Sequence, residues 1–116
     1  MHHVLVIGGA GYIGSHMLLA LQQKGIQVTV LDNLSNGHAE AVLYGDLVVG
    51  DVADTALLDQ IFTQNTIDAV LHFASFIQVG ESVTDPAKYY ANNVSNTIGL
   101  LNAMQRHRIK NLVFSS

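Results

Sequence analysis

Three glycines and one aspartate have the types and the spacing to hold a dinucleotide. Gly8, Gly11 and Gly14 form a G-x-x-G-x-x-G run, and Asp32 follows 18 residues after the last of them. A glycine where the chain leaves a strand permits a sharp turn. A second glycine removes a β-carbon where a pyrophosphate must approach the backbone, and a third lets the following helix pack closely on the sheet. A helix opening at that point aims unpaired N–H groups and a partial positive charge at the phosphates. A carboxylate placed like Asp32 accepts hydrogen bonds from both hydroxyls of an adenosine ribose. Its charge repels a 2′-phosphate, which favours NAD over NADP, and no lysine or arginine occurs in 33–38 to offset that repulsion.

This chemistry requires a strand before the loop, a helix after it, and a second strand that ends at the acid. His3-Val4-Leu5-Val6-Ile7 predicts a strand over about 3–8, and the next segment a helix over 12–24, with Gly25 placed as its left-handed cap. Val28-Thr29-Val30-Leu31 predicts a second strand over 27–31. The plainer reading is a glycine turn and an acid that merely starts a loop. Strand, turn, helix and acid all agree with the βαβ reading instead.

The same alternation continues. A strand is expected over 47–49, followed by a helix over 55–64 with Asp54 as N-cap and Leu57, Leu58, Ile61 and Phe62 as its apolar face. A fourth strand is expected over 69–73. A long helix opens at Asp85-Pro86 and ends near His107, with Tyr90, Val94, Thr97, Leu101 and Met104 in one stripe that Ala91 and Ile98 widen. A fifth strand covers 112–115. Short apolar runs alternating with helices predict an α/β fold: a doubly wound, Rossmann-like parallel sheet with strand order 3-2-1-4-5. In that order strand 5 is an apolar edge of a kind natural domains avoid leaving open. The sheet is therefore expected to be incomplete at that edge, and the chain to be the N-terminal part of a longer protein.

Composition narrows the class. The 116 residues suit one domain, and 49% hydrophobic residues exclude a disordered chain. There is no cysteine and no apolar run of transmembrane length. A strand at the very start leaves no room for a signal peptide, so a cytoplasmic protein without a membrane partner is expected. A formal charge of −4 argues against nucleic acid. Arg106, His107, Arg108 and Lys110 read as cations complementing a helix C-terminus rather than as a phosphate site. The histidines are scattered apart from His2-His3, so no metal site is expected. His72 reads as a hydrogen-bonded core histidine.

Taken together, seven segments resemble one family. They are Gly8 through His16, Leu31-Asp32-Asn33-Leu34-Ser35-Asn36, Gly50-Asp51-Val52, His72-Phe73-Ala74, Val79-Gly80-Glu81-Ser82-Val83, Tyr89-Tyr90-Ala91-Asn92-Asn93-Val94 and Asn111 through Ser116. In order along the whole chain, they are similar to the N-terminal part of the UDP-glucose 4-epimerases (UDP-galactose 4-epimerases), extended short-chain dehydrogenase/reductases. The V-G-E-S-V and Y-Y-x-N-N-V segments are more specific to that family than the glycine run.

The resemblance implies roles for further residues. Tyr12 and Ile13 would present backbone N–H groups to the pyrophosphate of NAD. Asn33, Ser35, Asn36 and Gly37 would line the adenosine end beside Asp32, and Asp51 and Val52 would border the adenine. Phe73, Ala74 and Ser75 would line the cofactor after strand 4. Asn92 would reach it from the long helix, and Ser115 would approach the nicotinamide half. Plainer readings stand beside these: Asp51 closing a turn after Gly50, Phe73 packing in the core, Asn92 facing solvent. One departure is visible, since Ile77 occupies a position where many members carry a lysine near the phosphates.

The resemblance also implies a reaction and a domain plan. NAD⁺ takes a hydride from C4 of the sugar of a UDP-sugar, a tyrosine with a serine and a lysine handles the proton, and the keto sugar turns over before the hydride returns. The tyrosine and lysine belong to a Tyr-x-x-x-Lys pair, which is absent from these 116 residues. Residues 1–116 would then be the N-terminal part of an NAD-binding domain, without the substrate domain and without catalytic residues, hence inactive alone. The parent would be roughly three times as long and homodimeric, pairing the long helix with the next one across a twofold axis. The alternatives are a nucleotide-sugar dehydratase or decarboxylase, which shares the glycine loop and Asp32, and a non-catalytic NAD-binding domain.

Overall fold

A computed structural model describes residues 2–34, 38–73 and 86–114, with the backbone alone for Tyr12, Pro86, Tyr89, Tyr90, Asn92 and Asn93. The described residues form five strands and three α-helices: β1 His3–Ile7, α1 Tyr12–Gln23, β2 Gln27–Asp32, β3 Asp46–Val49, α2 Thr55–Gln64, β4 Ala69–His72, α3 Pro86–Arg106 and β5 Leu112–Phe114. A 3₁₀ turn at Ala39–Ala41 precedes β3. The sheet is parallel throughout, in the expected order β3-β2-β1-β4-β5.

β1 lies at the centre of the sheet, and all five of its residues are buried. Side chains alternate between the two faces of a strand, so one run of apolar residues feeds two cores. Val4 and Val6 join Val28, Val30, Leu18 and Leu21 beneath α1. Leu5 and Ile7 join Leu31, Val70, Leu58, Ile61, Phe62, Leu100, Ala103 and Met104 beneath α2 and α3. Each fully buried Val, Leu or Ile contributes roughly 1.5–3 kcal/mol relative to exposure.

Helix ends follow their capping residues. The Asp54 side chain accepts from the Leu57 N–H at 3.1 Å and starts α2, as expected. At the end of α1, Gly25 (φ 69°) donates to the Gln22 carbonyl while Ile26 donates to that of Leu21, and Ile26 packs in the same core as Leu21. This is a Schellman closure. The end of α3 repeats it with Arg108 in the left-handed position (φ 60°), donating to Gln105, and with Ile109 donating to Met104.

The stripe expected on α3 is corrected in part: Met104 is buried as expected, and the other residues that reach the core differ. Leu100, Ala103 and Met104 face the core, whereas Val94 (57%), Ile98 (53%) and Leu101 (45%) are exposed. The helix is apolar on two sides, and periodicity alone cannot tell which side meets the sheet. Gly99 lies on the side of α3 that faces α2, where a β-carbon would make an ordinary contact of 3.5 Å with Thr55 Cγ2.

Two polar clusters tie the periphery together. Asp59 on α2 accepts from Arg106 Nη2 at 3.0 Å and lies 2.9 Å from His107 Nε2, which with the Arg106 guanidinium holds its carboxyl below the ordinary range. Arg106 and His107 thus serve an inter-helix pairing in addition to lying at the end of α3. At the N-terminal end of the sheet, Asp68 accepts from the His2 and His3 N–H groups at 2.7 and 2.9 Å, and its pKa is lowered by those bonds. His3 is buried, with Nε2 2.8 Å from Thr29 Oγ1, and burial pushes its pKa down.

Candidate nucleotide-binding site

α1 packs on one face of the sheet and α2 and α3 on the other, so the strand order reverses beside β1. A crevice opens between diverging connections at the C-terminal ends of such strands. Gly8, the first residue past β1, has φ 85° and donates to the Leu31 carbonyl at 2.8 Å. Gly11 donates back to Gly8, closing the turn, and its own carbonyl accepts the first bond of α1 from Ser15. Gly11 is the N-cap of α1 and supplies no side chain to it, and the first turn contains no acid. Gly11 thus leaves the opening N–H groups at Tyr12, Ile13 and Gly14 without a cap from the N-cap position, an arrangement that receives anions.

The third glycine is required for a different contact from the one the sequence suggests. A β-carbon at Gly14 would strike the Gly8 carbonyl oxygen and lie 2.8 Å from Gly9 Cα. The constraint is between helix and loop, rather than between helix and sheet. Gly9, which sequence reasoning passed over, is pinned as well: a β-carbon there would lie 2.6 Å from Val30 Cγ1. Its position in a glycine doublet was the available signal.

Asp32 ends β2 beside this loop, and β2 runs one residue further than expected to include it. Its Oδ2 accepts from the Ala10 N–H at 2.9 Å and its Oδ1 from the Leu34 N–H at 2.7 Å. A carboxylate has about four acceptor positions, so each oxygen retains capacity for a hydroxyl donor. Leu34 adopts φ 63°, a conformation uncommon for leucine. Neither Ala10 nor Leu34 carries a side chain that marks it as functional, and sequence reasoning missed both.

The other expected positions divide. Gly50 donates to the Asp32 carbonyl at 3.0 Å and brings Asp51 and Val52 to the same end of the sheet. Asp51 Oδ1 accepts from the Ala53 N–H at 2.9 Å, so it does close a turn, and it is exposed. Val52 is half-buried against the α2–α3 core. Phe73 follows β4 with its N–H on the Ile7 carbonyl at 2.7 Å, but its ring belongs to the core under α1, leaving only backbone to face the crevice. Asn33 and Ile13 are exposed. Ser35, Asn36, Gly37, Ala74, Ser75, Ile77 and Ser115 lie outside the described residues, as does the side chain of Asn92.

His72 ends β4 on the opposite face from Phe73. It is buried and stacks on Phe114 with ring centroids 4.8 Å apart. It is a core histidine, as expected; its Nδ1 has no partner among the described residues, and burial lowers its pKa.

A parallel five-stranded sheet with a glycine turn, a helix with a glycine N-cap and an acid at the end of β2 defines a Rossmann-like nucleotide-binding fold. The chain belongs to the NAD dependent epimerase/dehydratase family, whose model matches residues 4–116. It is 52% identical over 113 residues to a UDP-glucose 4-epimerase of Rhizobium leguminosarum bv. trifolii, covering 97% of this chain and 35% of the relative. It is 48% identical to a probable UDP-arabinose 4-epimerase of Arabidopsis thaliana, covering 98% of this chain and 30% of that protein. The crystal structure of UDP-glucose 4-epimerase from Brucella ovis in complex with NAD superposes with a TM-score of 0.92 at 50% identity, over 100% of this chain and 36% of that one. The chain thus spans about a third of the length of these relatives.

Proposed function

We propose that this chain forms the adenosine-diphosphate half of the NAD site of a UDP-sugar 4-epimerase. The parent activity would be interconversion of UDP-glucose and UDP-galactose through transient oxidation at C4. The observation that carries the reading is the geometry of the first loop: a left-handed Gly8 turn, a Gly11 N-cap without a side chain, and Asp32 hydrogen-bonded to the loop between them. In this reading the N–H groups of Tyr12 and Ile13 meet the pyrophosphate and Asp32 meets the ribose. Asn33, Ser35, Asn36 and Gly37 line the adenosine end, with Asp51 and Val52 beside the adenine. Phe73, Ala74, Ser75, Asn92 and Ser115 line the remainder. Bound NAD supplies the hydride acceptor; these residues bind and orient it.

Residues 1–116 act as the N-terminal part of the cofactor domain of a cytoplasmic enzyme, and the sugar and its proton chemistry fall to residues outside them. The exposed Val94, Ile98 and Leu101 line a side of α3 suited to a twofold contact between copies of the parent. A groove of about 510 Å³ bounded by Ala91, Val94, Ser95 and Ile98 adjoins that side. The test is an assay of the 116-residue chain with NAD⁺ and UDP-galactose. Cofactor binding without sustained formation of UDP-glucose is expected. Sustained turnover would contradict the placement of catalysis elsewhere, and absence of NAD⁺ binding would contradict the site.

A further inference from the structure

We infer that Asp32 is a positioning residue for the phosphate loop as well as a hydroxyl acceptor. It acts as a two-ended clamp that sets the loop before any ligand arrives. The inference rests on the reading of this crevice as the adenosine-diphosphate site. Both carboxylate oxygens are engaged by backbone: Oδ2 takes the Ala10 N–H at 2.9 Å, inside the glycine turn, and Oδ1 takes the Leu34 N–H at 2.7 Å, just past β2. The first bond spans 22 residues and joins the loop after β1 to the end of β2. The second holds the turn in which Leu34 is left-handed, with φ 63°. A leucine stays in that region only where its surroundings impose it. Ala10 is itself buried and its bond to Asp32 is half-buried, so removing the acceptor costs part of the desolvation of that donor.

The clamp and the simple ribose acceptor make opposite predictions for a ligand without ribose hydroxyls. If Asp32 only receives hydroxyls, its replacement is immaterial to such a ligand. By Coulomb's law alone, loss of a negative charge beside an anionic diphosphate strengthens binding. If Asp32 sets the loop, the same replacement weakens binding, because the N–H groups that meet the phosphates lose their fixed geometry. The sign of the change separates the two.

The experiment titrates the full chain, and its Asp32→Ala and Asp32→Asn variants, with ADP and with 2′,3′-dideoxy-ADP. Amide hydrogen exchange of Ala10 and Leu34 is followed in the ligand-free proteins. Asp32→Asn keeps one acceptor oxygen and guards against a fold lost in the alanine variant. The clamp predicts that Asp32→Ala weakens ADP by about 10- to 100-fold and dideoxy-ADP by about 3- to 10-fold. It also predicts that Ala10 and Leu34 exchange faster while amides in β1 and β4 do not. Dideoxy-ADP binding that is unchanged or tighter in the variants overturns the clamp, and so does unchanged exchange at Ala10 and Leu34. Failure of the unsubstituted protein to bind either nucleotide would instead overturn the site reading, and the exchange measurement would still decide whether the clamp exists.

Discussion

At the scale of single residues, the loop is held by contacts that leave no room for a side chain. Gly14→Ala drives a methyl group into the Gly8 carbonyl oxygen, and Gly8→Ala forces a left-handed alanine at φ 85°. Each is expected to cost about 1–3 kcal/mol in urea unfolding, together with a loss of NAD⁺ affinity. Titratable side chains add a pH dependence of one sign. Burial holds the pKa values of His3 and His72 below the ordinary 6.5, so the unfolded chain binds more protons as pH drops past that value. Asp59, bonded to His107 and Arg106, and Asp68, bonded to the His2 and His3 amides, lie below the ordinary 3.8. Stability is therefore fully present above about pH 7. It declines first as pH falls below 6.5 and again below 3.8. Thermal melts across pH 3–8 should show both stages, and His72→Phe should flatten the upper one.

At the scale of elements, caps decide boundaries, and they explain how far the sequence could be read. Asp54 and Gly25 announced an N-cap and a C-cap by residue type, and the structure uses both. The closure of α3 was not announced, because arginine at the left-handed position carries no signal for it. Arg108→Gly should remove the strain of that position and raise stability by about 0.5–1 kcal/mol, visible as a melting temperature higher by a few degrees. Gly25→Ala, where a β-carbon meets nothing within 4 Å, should cost about 1 kcal/mol through backbone strain alone. Strand order was legible because a βαβ pattern admits few topologies. The core-facing side of α3 was not, since Val94, Ile98 and Leu101 show the same spacing as a buried stripe. Within the site, the glycines and Asp32 were legible by type and position. The backbone donors at Ala10 and Leu34 were not, because a main-chain N–H leaves no trace in residue identity.

At the scale of the whole molecule, two apolar surfaces stand out from a chain of net charge −4. One is the outer side of α3; the other is the end of β5, where Val113 and Phe114 are exposed at the sheet edge. Among the described residues no helix is long and apolar enough to cross a membrane. If the α3 surface pairs copies of the parent, Ile98→Glu should convert a dimer to monomer in sedimentation velocity, with little change in melting temperature of the monomer. An unaltered dimer would place the contact elsewhere. The shared design of sheet and site lies in β1: its alternating side chains fill both cores, and its last hydrogen bonds hold the residues that open the crevice.

The most direct measurement is a calorimetric titration of this chain with NAD⁺ and, separately, with NADP⁺. Saturable one-to-one binding of NAD⁺ is expected, with NADP⁺ weaker by about tenfold or more because its 2′-phosphate meets the Asp32 carboxylate. Equal affinity for the two, or no binding of NAD⁺ at millimolar concentration, would contradict the assignment of this crevice to the cofactor.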